Sequence, residues 1–126
     1  MRSPRQQQGY DVERFACAYL RAQGYRIEAT NVRFPVGELD IVAWDGKTLC
    51  FVEVRSRATD RFGSALESVT DAKRQRLIRA AQWYLMRLRR APEVTRFDVV
   101  AIQSREAHPE PTIELIRGAF DASSTW

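Results

Sequence analysis

Two short segments carry the side chains best suited to chemistry: Gly37-Glu38-Leu39-Asp40-Ile41-Val42 and Phe51-Val52-Glu53-Val54-Arg55-Ser56-Arg57. Both are apolar runs with charged residues at alternate positions. They flank Asp45-Gly46, a dipeptide that between such runs signals a two-residue β-hairpin loop with a type I′ turn. Such a turn sets Trp44 opposite Lys47, and the pairing continues as Val42 with Leu49, Asp40 with Phe51 and Glu38 with Glu53. Opposed residues share a face, and so do residues two apart along a strand. Glu38, Asp40, Glu53 and Arg55 therefore project from one side. Leu39, Ile41, Ala43, Cys50, Val52 and Val54 take the other, which is apolar and must be core.

Gathering these acids is unfavourable by itself, because a like-charge cross-strand pair such as Glu38 and Glu53 is destabilising by a few tenths to about 1 kcal/mol. A divalent cation reverses the sign. Hard ions such as Mg²⁺ bind through one or two carboxylates plus water and phosphate oxygens. The competing reading is a solvated network in which the acids pair with Arg33, Arg55 or Arg57.

Other residues extend the pattern. Asn31 and Arg33 precede Gly37-Glu38, Phe62-Gly63 follows the second strand, Lys73 lies near the start of a helical stretch, and Arg96-Phe97-Asp98-Val99-Val100 reads as a later strand. This ordered set, from about Gly9 to Phe120, resembles the YraN-like family of presumed bacterial endonucleases, small relatives of the archaeal Holliday-junction resolvases in the PD-(D/E)xK nuclease superfamily. The resemblance implies an α/β, restriction-endonuclease-like three-layer domain whose mixed sheet has an αβββαβ core. It also implies metal-dependent cleavage of DNA, on branched or otherwise distorted duplexes. Related resolvases act as homodimers, because two matched cuts need two sites.

Carried over by residue, the resemblance makes Asp40 the first acid of the nuclease motif and Glu53 the acid of its E-x-K element. Glu13, on the first helix, matches an acid that related resolvases bring to the metal. Arg55 stands where lysine is usual. A partly buried lysine can release its proton and help to activate water, whereas arginine stays protonated. Arg55 can orient a phosphate and stabilise transition-state charge, but it cannot act as a general base. The expected catalytic set is Asp40, Glu53 and Arg55. The expected ligands of Mg²⁺ or Mn²⁺ are Asp40 and Glu53, with Glu13 and Glu38 as further or water-mediated ones.

Composition frames these candidates. The 126 residues are 44% hydrophobic and 29% charged, as in an ordinary globular domain that needs no staples. Cys17 and Cys50 read as reduced, buried thiols rather than a disulfide or metal site, and His108 as incidental in a Pro-rich loop. No apolar run approaches the roughly 18 residues of a membrane span, and Met1 to Gln8 lacks a signal-peptide core, so the expected compartment is the cytoplasm.

The elements that position these residues follow from periodicity. Residues 1–8 read as a disordered tail, 9–120 as one nuclease domain and 121–126 as a C-terminal tail. A first helix runs from Gly9 to about Gln23, with Val12, Phe15, Ala16, Tyr19 and Leu20 at helical spacing; taken alone, Glu13 there is a charge favoured by the helix dipole. A strand from Tyr25 to Thr30 leads into Asn31-Val32-Arg33. Ala58 to Glu67 reads as a mobile loop carrying Arg61 and Phe62. Ser68-Val69-Thr70-Asp71 has the form of a capping signal, opening a helix to about Arg90. Thr95 to Ile102 is a strand buried on both faces, in which Asp98 needs an arginine partner. Ser104 to Pro111 reads as a turn, Thr112 to Ile116 as a short edge strand, and Ala119-Phe120 as a helical turn.

The second helix carries the charge imbalance. Residues 73–90 hold seven basic residues and no acid, leaving 13 basic against 16 acidic elsewhere in a chain of net charge +4. A polyphosphate backbone supplies counterions to such a face with a gain from counterion release. The expected nucleic-acid contacts are Arg33, Arg57, Lys73, Arg76, Arg79, Trp83 and Arg87, Trp83 stacking on a base or packing at an interface. Alternatives from other classes are a non-catalytic nucleic-acid-binding module on a degenerate nuclease fold, and a domain whose basic helix docks an acidic protein.

Overall fold

In the computed structural model, which describes residues 4–57, 67–105 and 108–122, the chain runs α1 (Pro4–Ala22), β1 (Arg26–Phe34), β2 (Gly37–Asp45), β3 (Thr48–Arg57), α2 (Asp71–Met86), β4 (Val94–Arg105) and β5 (His108–Phe120). The strands form one sheet in the order β1-β2-β3-β4-β5. Neighbours are antiparallel except β3 and β4. A parallel pair requires a crossover, and α2 supplies it.

Alternation along the strands divides the core into two layers. Val42, Leu49, Phe51, Phe97 and Val99 pack under Leu77, Ile78, Ala81 and Tyr84 of α2. Ile41, Ala43, Cys50, Val52, Val100 and Ile102 pack on Ala16, Cys17 and Leu20 of α1. The result is the helix–sheet–helix sandwich expected from two helices and a sheet apolar on both sides. Both cysteines are free and buried, as expected. Among the described residues no helix is long and apolar enough to cross a membrane.

Several details differ from the sequence reading. The hairpin pairs Asp45 with Thr48 and Trp44 with Leu49, so Gly46-Lys47 form the loop instead of Asp45-Gly46. Gly46 has φ 61° while Lys47 does not enter the left-handed region, the signature of a type II′ rather than a type I′ turn. The new register moves every pairing by two positions, so the assignment of faces across the turn survives.

Helix α1 begins at Pro4, ahead of Gly9 and inside the stretch read as a tail; proline is tolerated in a first turn, where its missing N–H would be unpaired anyway. Helix α2 is capped by Thr70, whose hydroxyl accepts the Lys73 N–H at 3.3 Å, and not by Ser68. It ends at Met86 rather than Arg90, its last turn closed by the Arg87 N–H on the Tyr84 carbonyl. β5 replaces the expected turn and short strand and continues through Phe120. As the outer strand it can hold Pro109 and Pro111, because an edge position needs no ladder partner. Arg61 and Phe62-Gly63 lie outside the described residues.

Candidate active site

Beyond the bulge between Ile27 and Ala29, strand alternation breaks again on β1 and β2 together. Asn31 and Asp40 lie between the pairs Thr30–Ile41 and Val32–Leu39. Asn31 has φ 51°, a left-handed conformation that asparagine tolerates better than most residues. Beyond it Val32 and Leu39 join Val42 on the α2 side, so Leu39 leaves the α1-facing set to which strict alternation assigned it. β2 also parts from β3 here. Their ladder stops at Ile41–Val52, and the next inward N–H, that of Val54, donates to the Asp40 carboxylate at 2.9 Å. Asp40 is thus fixed by the backbone in the fork between two strands.

Continuing the hairpin register past Ile41–Val52 sets Asp40, and not Glu38, across from Glu53. Glu53 is only 5% exposed. Its Oε1 receives Lys73 Nζ at 2.8 Å and Arg55 Nη1 at 3.8 Å. Arg55 is drawn aside by Ser68, whose Oγ accepts its Nε–H at 2.9 Å. The nearer cation is therefore Lys73, from the first turn of α2. Gly37 lets the helix come this close: a Cβ there would stand 2.9 Å from the Arg76 carbonyl oxygen.

The electrostatics of the pair are unfavourable by construction. The Asp40 carboxyl is pushed up to about 7, first by burial, then by the charge of Glu53 and a hydrogen bond to it; the Val54 N–H and Lys73 pull in the other direction. Near neutral pH Asp40 therefore keeps its proton for much of the time. A cation placed between them would substitute for it.

The other expected members of the site lie apart. Glu38, one residue from Leu39, turns to the opposite face and pairs with Arg33 at 3.7 Å on the surface, a contact worth little. Glu13 accepts from Asn31 Nδ2 at 2.6 Å, on the α1 side of the sheet. Among the described residues no group of three or more His, Cys, Asp or Glu is placed to hold a metal ion. The grouping of Glu38, Asp40, Glu53 and Arg55 is corrected accordingly to Asp40, Glu53 and Arg55, joined by Lys73. Arg57 closes β3, and its side chain lies outside the described residues. Arg76, Arg79, Trp83 and Arg87 are exposed along or at the end of α2.

Lys73 beside Glu53, and Asn31 beside Asp40, were not assigned these roles from sequence. The available signals were an arginine in the usual lysine position followed by a lysine in the next helix, and an asparagine facing an acid across a hairpin. Asn31→Ala is expected to cost about 1–2 kcal/mol in urea unfolding, for the left-handed φ and the lost bond to Glu13. Asn31→Gly is expected to cost less than half of that; equal tolerance of both would show that the bend is held by something else.

The geometry defines a small mixed α/β domain with a carboxylate pair, its Glu53 buried and braced by a lysine. The chain belongs to the uncharacterised protein family UPF0102, which it matches over residues 12–102, a span containing Glu13, Asn31, Asp40, Glu53, Arg55, Lys73 and Asp98. It is similar to a UPF0102 protein of Desulfosudis oleivorans, 46% identical over 123 residues covering 98% of this chain and 97% of the relative. A UPF0102 protein of Symbiobacterium thermophilum is 47% identical over 112 residues, 87% of this chain and 92% of the relative. One of Pseudomonas aeruginosa is 44% identical over 115 residues, 90% and 92% respectively. The YraN-like resemblance is borne out at the level of the family.

Proposed function

We propose that the protein is a metal-dependent endonuclease with a restriction-endonuclease-like fold, hydrolysing phosphodiester bonds of DNA at Asp40, Glu53 and Lys73. The observation that carries this reading is the Asp40–Glu53 pair, Glu53 buried and Asp40 half-buried, with Lys73 Nζ 2.8 Å from Glu53. Two adjacent acids held largely out of water destabilise a fold, and such perturbed pairs concentrate at functional sites. The order α1-β1-β2-β3-α2-β4 also follows the αβββαβ succession.

The donor set fits a hard divalent ion, which takes one or two carboxylates and completes its shell with water and phosphate oxygens. Asp40 and Glu53 would hold Mg²⁺ or Mn²⁺. Bound there, the ion would neutralise phosphate charge and acidify a water. Asp40, pinned by the Val54 N–H, keeps one carboxylate fixed without its own rotamer having to order. Lys73 is the cation beside Glu53 that can exchange a proton, a capacity Arg55 lacks. Arg55, steadied by Ser68, would hold the scissile phosphate. Glu13 acts at one remove by fixing Asn31, hence the bend at Asp40.

A second reading, a nucleic-acid-binding module without cleavage, is favoured by Arg55 in the lysine position. One experiment separates them. Four-way junction, nicked and linear DNA are incubated with the protein in Mg²⁺ or Mn²⁺ against EDTA. Cleavage is expected only with metal, and Lys73→Met and Glu53→Gln are each expected to reduce it by about 100-fold or more. Products that form equally in EDTA, or variants that cut like wild type, would defeat the assignment. Binding without cleavage under every metal condition would establish the second reading. Paired cuts across a junction require two such sites, hence two copies of the chain.

A further inference from the structure

The outer surface of α2 carries a feature the acid pair does not use. Lys73, Arg76, Trp83 and Arg87 are separated by three, seven and four residues, positions that share one side of a helix. Trp83 is 43% exposed. Its ring lies 5.7 Å from that of Phe34, at the end of β1, with 50° between the planes. The Arg87 guanidinium sits 5.6 Å over the same Phe34 ring. Among the described residues Arg76, Arg79 and Arg87 meet no carboxylate.

We infer that Trp83, Phe34 and Arg87 form a stacking platform for an unpaired base, so that the preferred substrate is DNA with a single-stranded or gapped segment beside the scissile bond. This rests on the nuclease reading of the acid pair and names its substrate class. The charge argument selects a polyanion: three guanidinium groups without acids gain from releasing the counterions of a phosphate backbone. The aromatic argument selects its form. An indole on the outside of a helix can stack only on a base with a free face, and the bases inside a duplex have both faces covered. The spacing also fits. Trp83 lies ten residues beyond Lys73, or about 15 Å along the helix, which is about four stacked nucleotides at 3.4 Å each.

The test is equilibrium binding by fluorescence anisotropy, in EDTA so that nothing is cut. The probes are a labelled duplex and the same duplex with an internal gap of about four nucleotides. Wild type is expected to bind the gapped DNA about 10-fold more tightly than the duplex. Trp83→Ala should erase that preference while leaving duplex affinity unchanged, and Trp83→Phe should keep most of it. Equal binding of both probes by wild type, or a Trp83→Ala effect that is absent or the same on both, would overturn the platform. So would failure to bind either probe at low salt, which would leave the stripe to an acidic protein partner. Cleavage followed in parallel with Mg²⁺ keeps the two claims apart: cutting without a gap preference defeats the platform alone, and a gap preference without cutting defeats the nuclease reading alone.

Discussion

Asp98→Ala is expected to destabilise the protein by about 3 kcal/mol, a large part of the 5–15 kcal/mol typical of a whole domain. Asp98 is completely buried and takes donors from three parts of the chain. Arg96 Nε lies at 2.8 Å from its carboxylate, the Tyr25 hydroxyl at 2.7 Å and the Gly118 N–H at 2.9 Å. Arg96 continues to Asp45 at 2.7 Å, and Arg117 approaches Asp45 at 3.4 Å. One carboxylate thus ties the start of β1, the end of β2, β4 and β5 together. Burial alone would raise its pKa, but the bonds from Arg96, Gly118 and Tyr25 outweigh that and hold it below the ordinary carboxylate range. The pH dependence follows from that sign. Stability from Asp98 is complete above the unfolded carboxylate value and is lost as pH falls through the folded one. Alanine would leave the buried Tyr25 hydroxyl and the partly exposed Arg96 and Gly118 donors without their acceptor, although Arg96 keeps Asp45, which sets the cost at the low end for a broken buried pair. The melting temperature should fall by roughly 10 °C. Tyr25→Phe, which removes one neutral donor, should cost only about 1 kcal/mol. A loss for Asp98→Ala no larger than for Tyr25→Phe would mean that the network re-solvates and ties nothing.

Much of this is legible in the sequence. Alternating apolar and charged residues around a two-residue loop fixed β2 and β3, the buried faces and the nearness of Asp40 to Glu53. The error in the loop residues was harmless because it moved the register by two, and only a shift by one changes faces. Asp98 was read as needing an arginine, and Arg96 is that residue. What escaped the sequence has physical causes. Perfect alternation through Asp40 puts Leu39 on the α1 side, yet the left-handed Asn31 resets both strands there, carrying Leu39 to the α2 side and Glu38 away from Glu53. β5 was hidden because prolines exclude a central strand but not an edge. Lys73 could not be assigned to Glu53 because its position depends on how α2 docks, and that is decided at Gly37 against the Arg76 carbonyl, a contact between distant segments. The bond from the Tyr84 hydroxyl to Glu28 and that from the Trp44 indole N–H to the same carboxylate, at 3.0 Å, are likewise products of docking, with no local signature.

Asp40→Asn should have the opposite sign on stability and the largest effect on activity. Asparagine keeps an oxygen for the Val54 N–H and gains an amide that can donate to Glu53, while the repulsion between two carboxylates disappears. In the wild type the folded Asp40 has its pKa raised to about 7. For an acid shifted upward the folded state holds the extra proton, so stability is greatest at low pH and declines as pH rises from the ordinary carboxylate value through about 7. Asparagine removes that decline. At pH near 8 the variant should be more stable than wild type by at least about 1 kcal/mol, raising the melting temperature by roughly 3 °C or more; near pH 5 the difference should largely vanish. Cleavage should fall by about a thousandfold or more, since half of the carboxylate charge for the cation is gone. Metal linkage gives an independent reading. Saturating Mg²⁺ should stabilise wild type, by about 2.7 kcal/mol at a hundred times its dissociation constant, and should leave the variant's melting temperature nearly unchanged. If Asp40→Asn instead lowers stability at pH 8 and Mg²⁺ shifts neither protein, the acid pair is a structural network satisfied by Lys73 and Arg55, and the basic face of α2 would have to act without a cleavage centre beside it.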